Sequence, residues 1–375
     1  MKKIIHSLII LAGLTSFNAQ AITYTITNLG TLGGSYSVGY GINSHGHVTG
    51  RSDTLNGASR AFLYDGNTMR DLGVSQGGSS SDFLVGYDIN DSGQVVGTTN
   101  GPSAFLYDGN TLQTIARSDI SLRFGAINNN GQLTAGGKPF GNGITNAFIY
   151  DSRTQQAQFL GTLNSDGSGV SYGSGINASG QVTGRSSIGA TSHAFLYDGN
   201  TMHDLGSLTD GGTSTGYAIN DNGWVTGRST TSRTINETAI YHAFLYDGNT
   251  MHDLGSINSD GSGNSVGYGI NASGQVVGAS AGGGAFLYKN NTMFNLCTLI
   301  DCVSAGWHHL STANGINDNG DIVGTGSFRG EEGELNKERA FLITASATDV
   351  PAPATLLLTI TGLIGAIGAH RRRRT

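Results

Sequence analysis

One pattern returns seven times along the chain and limits its fold more than any other feature. Its first half is Gly-Ile-Asn-x-x-Gly-Gln-Val-Val-Gly or a close variant, with the Asn at Asn43, Asn90, Asn128, Asn177, Asn220, Asn271 and Asn317. Its second half is His-Ala-Phe-Leu-Tyr-Asp-Gly-Asn-Thr-Met-His-Asp-Leu-Gly, clearest at 193–206 and 242–255. The Phe of that half falls at Phe62, Phe105, Phe148, Phe195, Phe244, Phe286 and Phe341. A unit of this size cannot bury its own apolar face and must stack on its neighbours. Each half reads as a β-hairpin. Asn-x-x-Gly (90–93, 177–180) and Asp-Gly-Asn (198–200) supply the positive-φ positions that tight turns need. Two hairpins make four strands in ~45 residues, the size of a propeller blade. The 60 Gly of the 375 residues sit at fixed places between short apolar runs, as turns require, and no internal window keeps a helical apolar period.

The ends of the array bear on how it finishes. The seventh copy stops at 340–343 without its last strand, while Tyr24 to Leu32 resembles that missing strand as it stands at 202–208. An open solenoid would need atypical capping repeats. The expectation is therefore an all-β, seven-bladed β-propeller of four-stranded blades over residues 22–345, closed by an N-terminal strand. In that topology the turns after strands 1 and 3 share one face, and the strand-2/strand-3 and blade-to-blade loops share the other. The strand-2/strand-3 loops vary from 6 residues (98–103) to 15 (228–242, 325–339), so a site is expected on their face.

Both termini carry topogenic signals. Lys2 and Lys3 precede an apolar stretch, 4–14, and Ala19-Gln20-Ala21 gives a small-x-small pattern, so residues 1–21 read as a signal peptide cut after Ala21. At the other end, 350–369 is uncharged and is followed by His370, Arg371, Arg372, Arg373 and Arg374. Its apolar part, 354–369, spans ~24 Å as a helix against a hydrocarbon layer of ~30 Å. Residues 346–375 therefore read as a tail with a transmembrane helix, its Arg cluster held on the cytoplasmic side. Without Lys2, Lys3 and the four terminal Arg, 14 basic residues face 26 acidic ones, a net charge of −12. That is no footprint for nucleic acid. Cys297 and Cys302 are placed to form a local disulfide after export, and no further ligands at metal spacing accompany them.

The repeats over roughly 22–345 resemble the bacterial extracellular repeats named the HAF family. The tail resembles a PEP-CTERM sorting signal, with Val350-Pro351-Ala352-Pro353 where the usual motif is Val-Pro-Glu-Pro. The second resemblance implies an exosortase-type partner and a membrane-anchored precursor. Its destination would be the surface of a Gram-negative cell that makes exopolysaccharide. The first implies no enzymatic activity.

Most acids and bases follow the repeat and read as scaffold: Asp65, Asp108, Asp198 and Asp247 in turns, and His193, His203, His242 and His252 at equivalent places. Two Asn-Ser-Asp-Gly-Ser-Gly loops, 164–169 and 258–263, have the oxygen-rich composition of calcium loops without matching a full one, so no cofactor is expected beyond that calcium candidate. The residues that depart from the repeat on the variable face are the ligand-binding candidates. These are Trp307 and His308 before the seventh Gly-Ile-Asn, Arg233 and Tyr241 in one long loop, and Arg329 in another. The expected function is a non-catalytic binding or structural propeller, exported to the cell surface or matrix, with extracellular polysaccharide as a partner. The rival is a carbohydrate-active hydrolase or lyase using the same face.

Overall fold

The computed structural model describes residues 19–73, 83–99, 103–115, 123–137, 144–258, 260–329 and 337–350. Residues 25–344 form one compact unit; of the second unit the described parts are 19–24 and 345–350.

The strands form seven four-stranded sheets, the blades of a β-propeller. Blade 1 runs through Gly33–Ile42, Val48–Thr54, Ser59–Tyr64 and Met69–Asp71, antiparallel and hydrogen-bonded in that order. Blades 2 to 6 repeat this at 85–115, 123–161, 171–204, 214–253 and 265–295. The seventh sheet holds Trp307–Ile316, Ile322–Phe328 and Lys337–Val350, with Ala19–Asn28 as the other neighbour of Lys337–Val350. Within the main unit, Leu29 N donates to Ala340 O at 3.0 Å. The first strands of all seven blades line an axial channel.

Local chemistry explains why the repeat folds this way. The fourth residue of each Asn-x-x-Gly turn has positive φ, from +74° at Gly131 to +83° at Gly320, a region that only Gly enters cheaply. In strand 2 a second Gly serves another purpose. Gly184 pairs with Phe195 across the sheet, and a Cβ there would overlap the Tyr172 carbonyl and meet the Phe195 ring at 2.9 Å. Gly50, Gly97, Gly227, Gly278 and Gly324 pair with their Phe in the same way. In blade 3 Ala135 takes the place of that Gly opposite Phe148, and all seven Phe side chains are fully buried.

Two sets of polar contacts join blade to blade. The repeat Asn is buried in every blade, and its Nδ2 donates to the backbone O of the next blade's Asn. The bonds run Asn43 to Asn90 (3.1 Å), Asn90 to Asn128 (3.1 Å), Asn128 to Asn177 (2.9 Å) and Asn177 to Asn220 (3.1 Å). They continue Asn220 to Asn271 (2.9 Å), Asn271 to Asn317 (3.3 Å) and Asn317 back to Asn43 (3.0 Å). The circle is complete. Further out, a buried Ser of strand 1 accepts from the Ala that precedes Phe in the preceding blade: Ser171 from Ala147 (2.8 Å), Ser214 from Ala194 (2.8 Å), Ser265 from Ala243 (2.8 Å) and Ser37 from Ala340 (3.0 Å).

The structure differs from the sequence reading in its strand lengths. The 228–242 segment is not a loop: Val225–Ile235 and Thr238–Tyr246 make one long hairpin with Asn236 and Glu237 at positive φ. Pairing beyond the expected strand ends also joins Phe328 to Lys337. Strands reach back to Ala19 and on to Val350, past the 22 and 345 boundaries. The apolar segment 4–14, Pro351, Ala352, Pro353, the 354–369 segment and Arg371 to Arg374 lie outside the described residues. No helix among the described residues is long and apolar enough to cross a membrane.

The amide circle is expected to govern stability. Asn177→Ala removes one of the two donors to the buried Asn220 carbonyl, which keeps Gly223 N, and removes the acceptor of Ser179 N and Gln181 N. Such a loss costs about 1–3 kcal/mol, whereas Asn200→Ala in an exposed turn should cost little. Denaturant unfolding of the two variants checks this, and equal losses would contradict it.

Candidate functional site

The sequence-derived candidates fall into two separate groups. Tyr241 and Arg233 belong to the long blade 5 hairpin. Arg233 is exposed and its Nη1 donates to Asp260 O at 2.7 Å in the following loop. Tyr241 is half-buried beneath the Arg228 guanidinium, 5.0 Å from its ring centre. Trp307, His308 and Arg329 belong to blade 7. Trp307 lies in a strand, not in a loop; it is 0% exposed, packed edge-on against Phe328 (5.0 Å) and Phe341 (5.9 Å), and offers no face to a ligand. His308 is exposed, with its Nδ1 3.0 Å from that of His309. Arg329 is exposed and its backbone N donates to Gly306 O at 2.8 Å. Among the described residues no hydrogen bond, ion pair or ring contact links the blade 5 pair to the blade 7 trio.

Cys297 and Cys302 form a disulfide beside a one-turn helix, Leu296–Leu299. The repeat His residues pair with repeat Asp: His193 Nδ1 with Asp204 (2.9 Å), His242 Nδ1 with Asp253 (2.8 Å), His203 Nε2 with Asp198 (2.7 Å) and His252 Nε2 with Asp247 (2.7 Å). In the two calcium-loop candidates the side chains bind their own loop. Asp166 and Asp260 accept from Ser168 N and Ser262 N, while Asn164 and Asn258 donate to Ser168 O and Ser262 O.

What the structure does assemble is a cavity of about 660 Å³ at the mouth of the axial channel. It lies at the end where the strand-2/strand-3 connections sit, with Thr325 and Glu338 in its wall. One position per blade dominates it, the residue three before the circle Asn. This is Tyr40, Tyr87, Tyr217 and Tyr268 in blades 1, 2, 5 and 6, but Gly125, Ser174 and Asn314 in blades 3, 4 and 7. The tyrosines come in neighbouring pairs, Tyr40 with Tyr87 (centroids 5.5 Å apart) and Tyr217 with Tyr268 (5.7 Å). Burial, then nearby phenols, raise the Tyr40 and Tyr268 hydroxyls against the pull of Arg51 and Arg228, so both stay neutral. Beside the first pair, the Arg51 guanidinium stacks on Tyr36 (4.5 Å) and Phe83 (5.2 Å), and its Nε is buried without a hydrogen-bond partner among the described residues.

Deeper in the channel stands Asp88, where the other blades have Gly41, Ala126, Gly175, Ala218, Gly269 and Gly315. It keeps some surface on the channel, yet protein atoms crowd its carboxyl. Burial pushes that carboxyl up to about 6, against hydrogen bonds from Ile127 N and Ile89 N at 2.9 Å each. Sequence reasoning passes over Asp88 because it stands inside a copy of the repeat. The signal was a carboxylate where every other copy has Gly or Ala.

A family model described as a protein of unknown function (DUF3466) matches residues 202–358. No curated protein matches the chain. Among solved structures, an oligogalacturonate lyase in complex with manganese is 12% identical, with 88% of this chain and 98% of that chain covered and a TM-score of 0.51. The extracellular domain of BT4673 from B. thetaiotaomicron is 11% identical, with 84% and 40% covered and a TM-score of 0.50. TolB from Acinetobacter baumannii is 16% identical with a TM-score of 0.43; the match takes in 69% of this chain and 61% of TolB. At such identities the likeness is one of fold.

The Asp88 environment sets a pH dependence. A folded-state value raised from 3.8 to about 6 favours the protonated form on folding, so its stabilising contribution is full below about pH 4 and is lost as pH rises through 6. Between pH 4 and 7.5 the melting temperature of the native protein should therefore fall relative to Asp88→Asn. Parallel curves would contradict the assignment.

Proposed function

We propose that this chain is an exported, non-catalytic binding propeller, held at the cell surface or in its matrix, that grips extracellular polysaccharide with its variable-loop face. The observation that carries the reading is the open cavity at the channel mouth, where aromatic faces alternate with hydroxyl and amide groups. Pockets of roughly 300–1,000 Å³ with a few placed polar groups are the usual form of a ligand site. Export draws support from the apolar, small-x-small segment 1–21 and from the Cys297–Cys302 disulfide, which suits an oxidising compartment. In this reading the 354–369 segment halts in the inner membrane with Arg371 to Arg374 on the cytoplasmic side. An exosortase-type enzyme then cuts near Val350 to Pro353. The net charge of −12 outside those basic ends speaks against nucleic acid.

The reading also gives the N-terminal strand the task of closing the ring. Deleting 22–32 removes a strand that accompanies Ala340–Thr344 and exposes a sheet edge. Its melting temperature should drop far below that of a chain trimmed at the exposed hairpin tip 232–239; equal losses would refute closure.

A second reading, a carbohydrate-active hydrolase or lyase, is favoured by one observation: two carboxyls border the cavity, Glu338 at the mouth and Asp88 below, the latter with the raised value a general acid needs. Incubating the secreted protein with a glycan array and a panel of polysaccharides separates the two. Binding with no change in chain length is expected; chain shortening would overturn the non-catalytic reading.

A further inference from the structure

Below the cavity the channel continues as a smaller space. This space, of about 210 Å³, shares Tyr40, Tyr87, Tyr217 and Tyr268 with the mouth and is lined deeper in by Ile42, Ile176, Ile219, Ile270 and Ile316. Those isoleucines and the closed amide circle stand between it and the opposite face. A chain that reaches past the mouth into this deeper space does so by its end. The two tyrosine pairs belong to blades 1/2 and 5/6, on opposing arcs of a seven-blade ring. The departures at Gly125, Ser174 and Asn314 leave space in the other arcs. Such walls suit a molecule with flat C–H faces and many hydroxyls. Phenol rings cover the faces, while Ser174, Asn314, Thr325 and the neutral phenols take up hydroxyl groups. The excess of 26 acidic over 14 basic residues outside Lys2, Lys3 and the four terminal Arg disfavours an anionic polymer, and the two nearby guanidiniums, Arg51 and Arg228, are each stacked on aromatic rings.

We propose that the channel mouth is an end-binding site for a neutral oligosaccharide, whose terminal sugar rings lie against the Tyr40/Tyr87 and Tyr217/Tyr268 pairs. This rests on the polysaccharide-binding reading and narrows it to one subsite, one charge class and one mode of entry. The outer hairpin bearing Arg233 and Tyr241 is not part of that subsite.

Calorimetric titration of the mature protein with neutral gluco- and manno-oligosaccharides of two to six units tests it. Tyr87→Ala and Tyr217→Ala should each weaken binding by roughly tenfold or more, while Tyr87→Phe keeps the stacking face and most of the affinity. Tyr87 is 37% exposed, so its loss leaves the core intact. Ser174→Tyr, which restores the residue found at this place in four other blades, should fold normally and block the cavity. Arg233→Ala should bind as the native protein does, and polymers with both ends blocked should not bind. If oligosaccharides bind but the tyrosine and Ser174 variants do not weaken them, or end-blocked polymers bind equally well, the subsite falls and the polysaccharide reading stands. Preference for anionic glycans overturns the charge class. If no glycan of any kind binds, the polysaccharide reading itself falls, and the subsite with it.

Discussion

One buried carboxamide per blade holds the ring in register. Each circle Asn spends one N–H on the next blade's carbonyl. Its Oδ1 accepts from its own turn, as Asn177 does from Ser179 N and Gln181 N. In blades 2, 3, 4 and 6 the remaining N–H goes to the Gln four residues on. Asp in this place would bring no donor, and Gln would carry the amide too far. Because the seventh bond returns to Asn43, no blade can shift without taking the buried Nδ2 donors at both of its seams from their acceptors, each loss worth about 1–3 kcal/mol. Small sheets thereby become a single object, and the channel acquires a fixed bore.

Around this circle the repeat and its departures divide the work. Gly opposite Phe in six blades lets the strands pack close, and Ser ties four of the seams further out. Of the seam residues only the circle Asn makes its contact in all seven copies. The cavity is built from the position where copies disagree, with Tyr in four blades and Gly, Ser or Asn in three. Asp88 is the same phenomenon one layer deeper.

Much of this was legible in the sequence. The blade count, the four-strand unit and the positive-φ turn glycines follow from the spacing of Asn, Phe and Gly, since turn chemistry is local. Strand extent was not legible. Thr230 to Tyr241 is polar and lacks alternation, yet pairs as a hairpin because Asn236 and Glu237 accept a left-handed turn. Likewise 344–350, rich in Ala, Ser and Thr, is extended through its sheet neighbours rather than by propensity. Trp307 reads as an exposed binding aromatic only if the chain there is a loop; the longer strand buries it between Phe328 and Phe341. The tyrosine ring was visible but repeated, and repetition disguised it as scaffold.

The central claim is that the seven blades close through a circle of buried side-chain amides, and side-chain amide exchange tests it most directly. In a spectrum of the Asn-labelled protein transferred to heavy water, the account predicts seven carboxamides that persist long after those of exposed turn residues such as Asn200 and Asn249 have exchanged. Seven circle amides exchanging as fast as those exposed ones would contradict it.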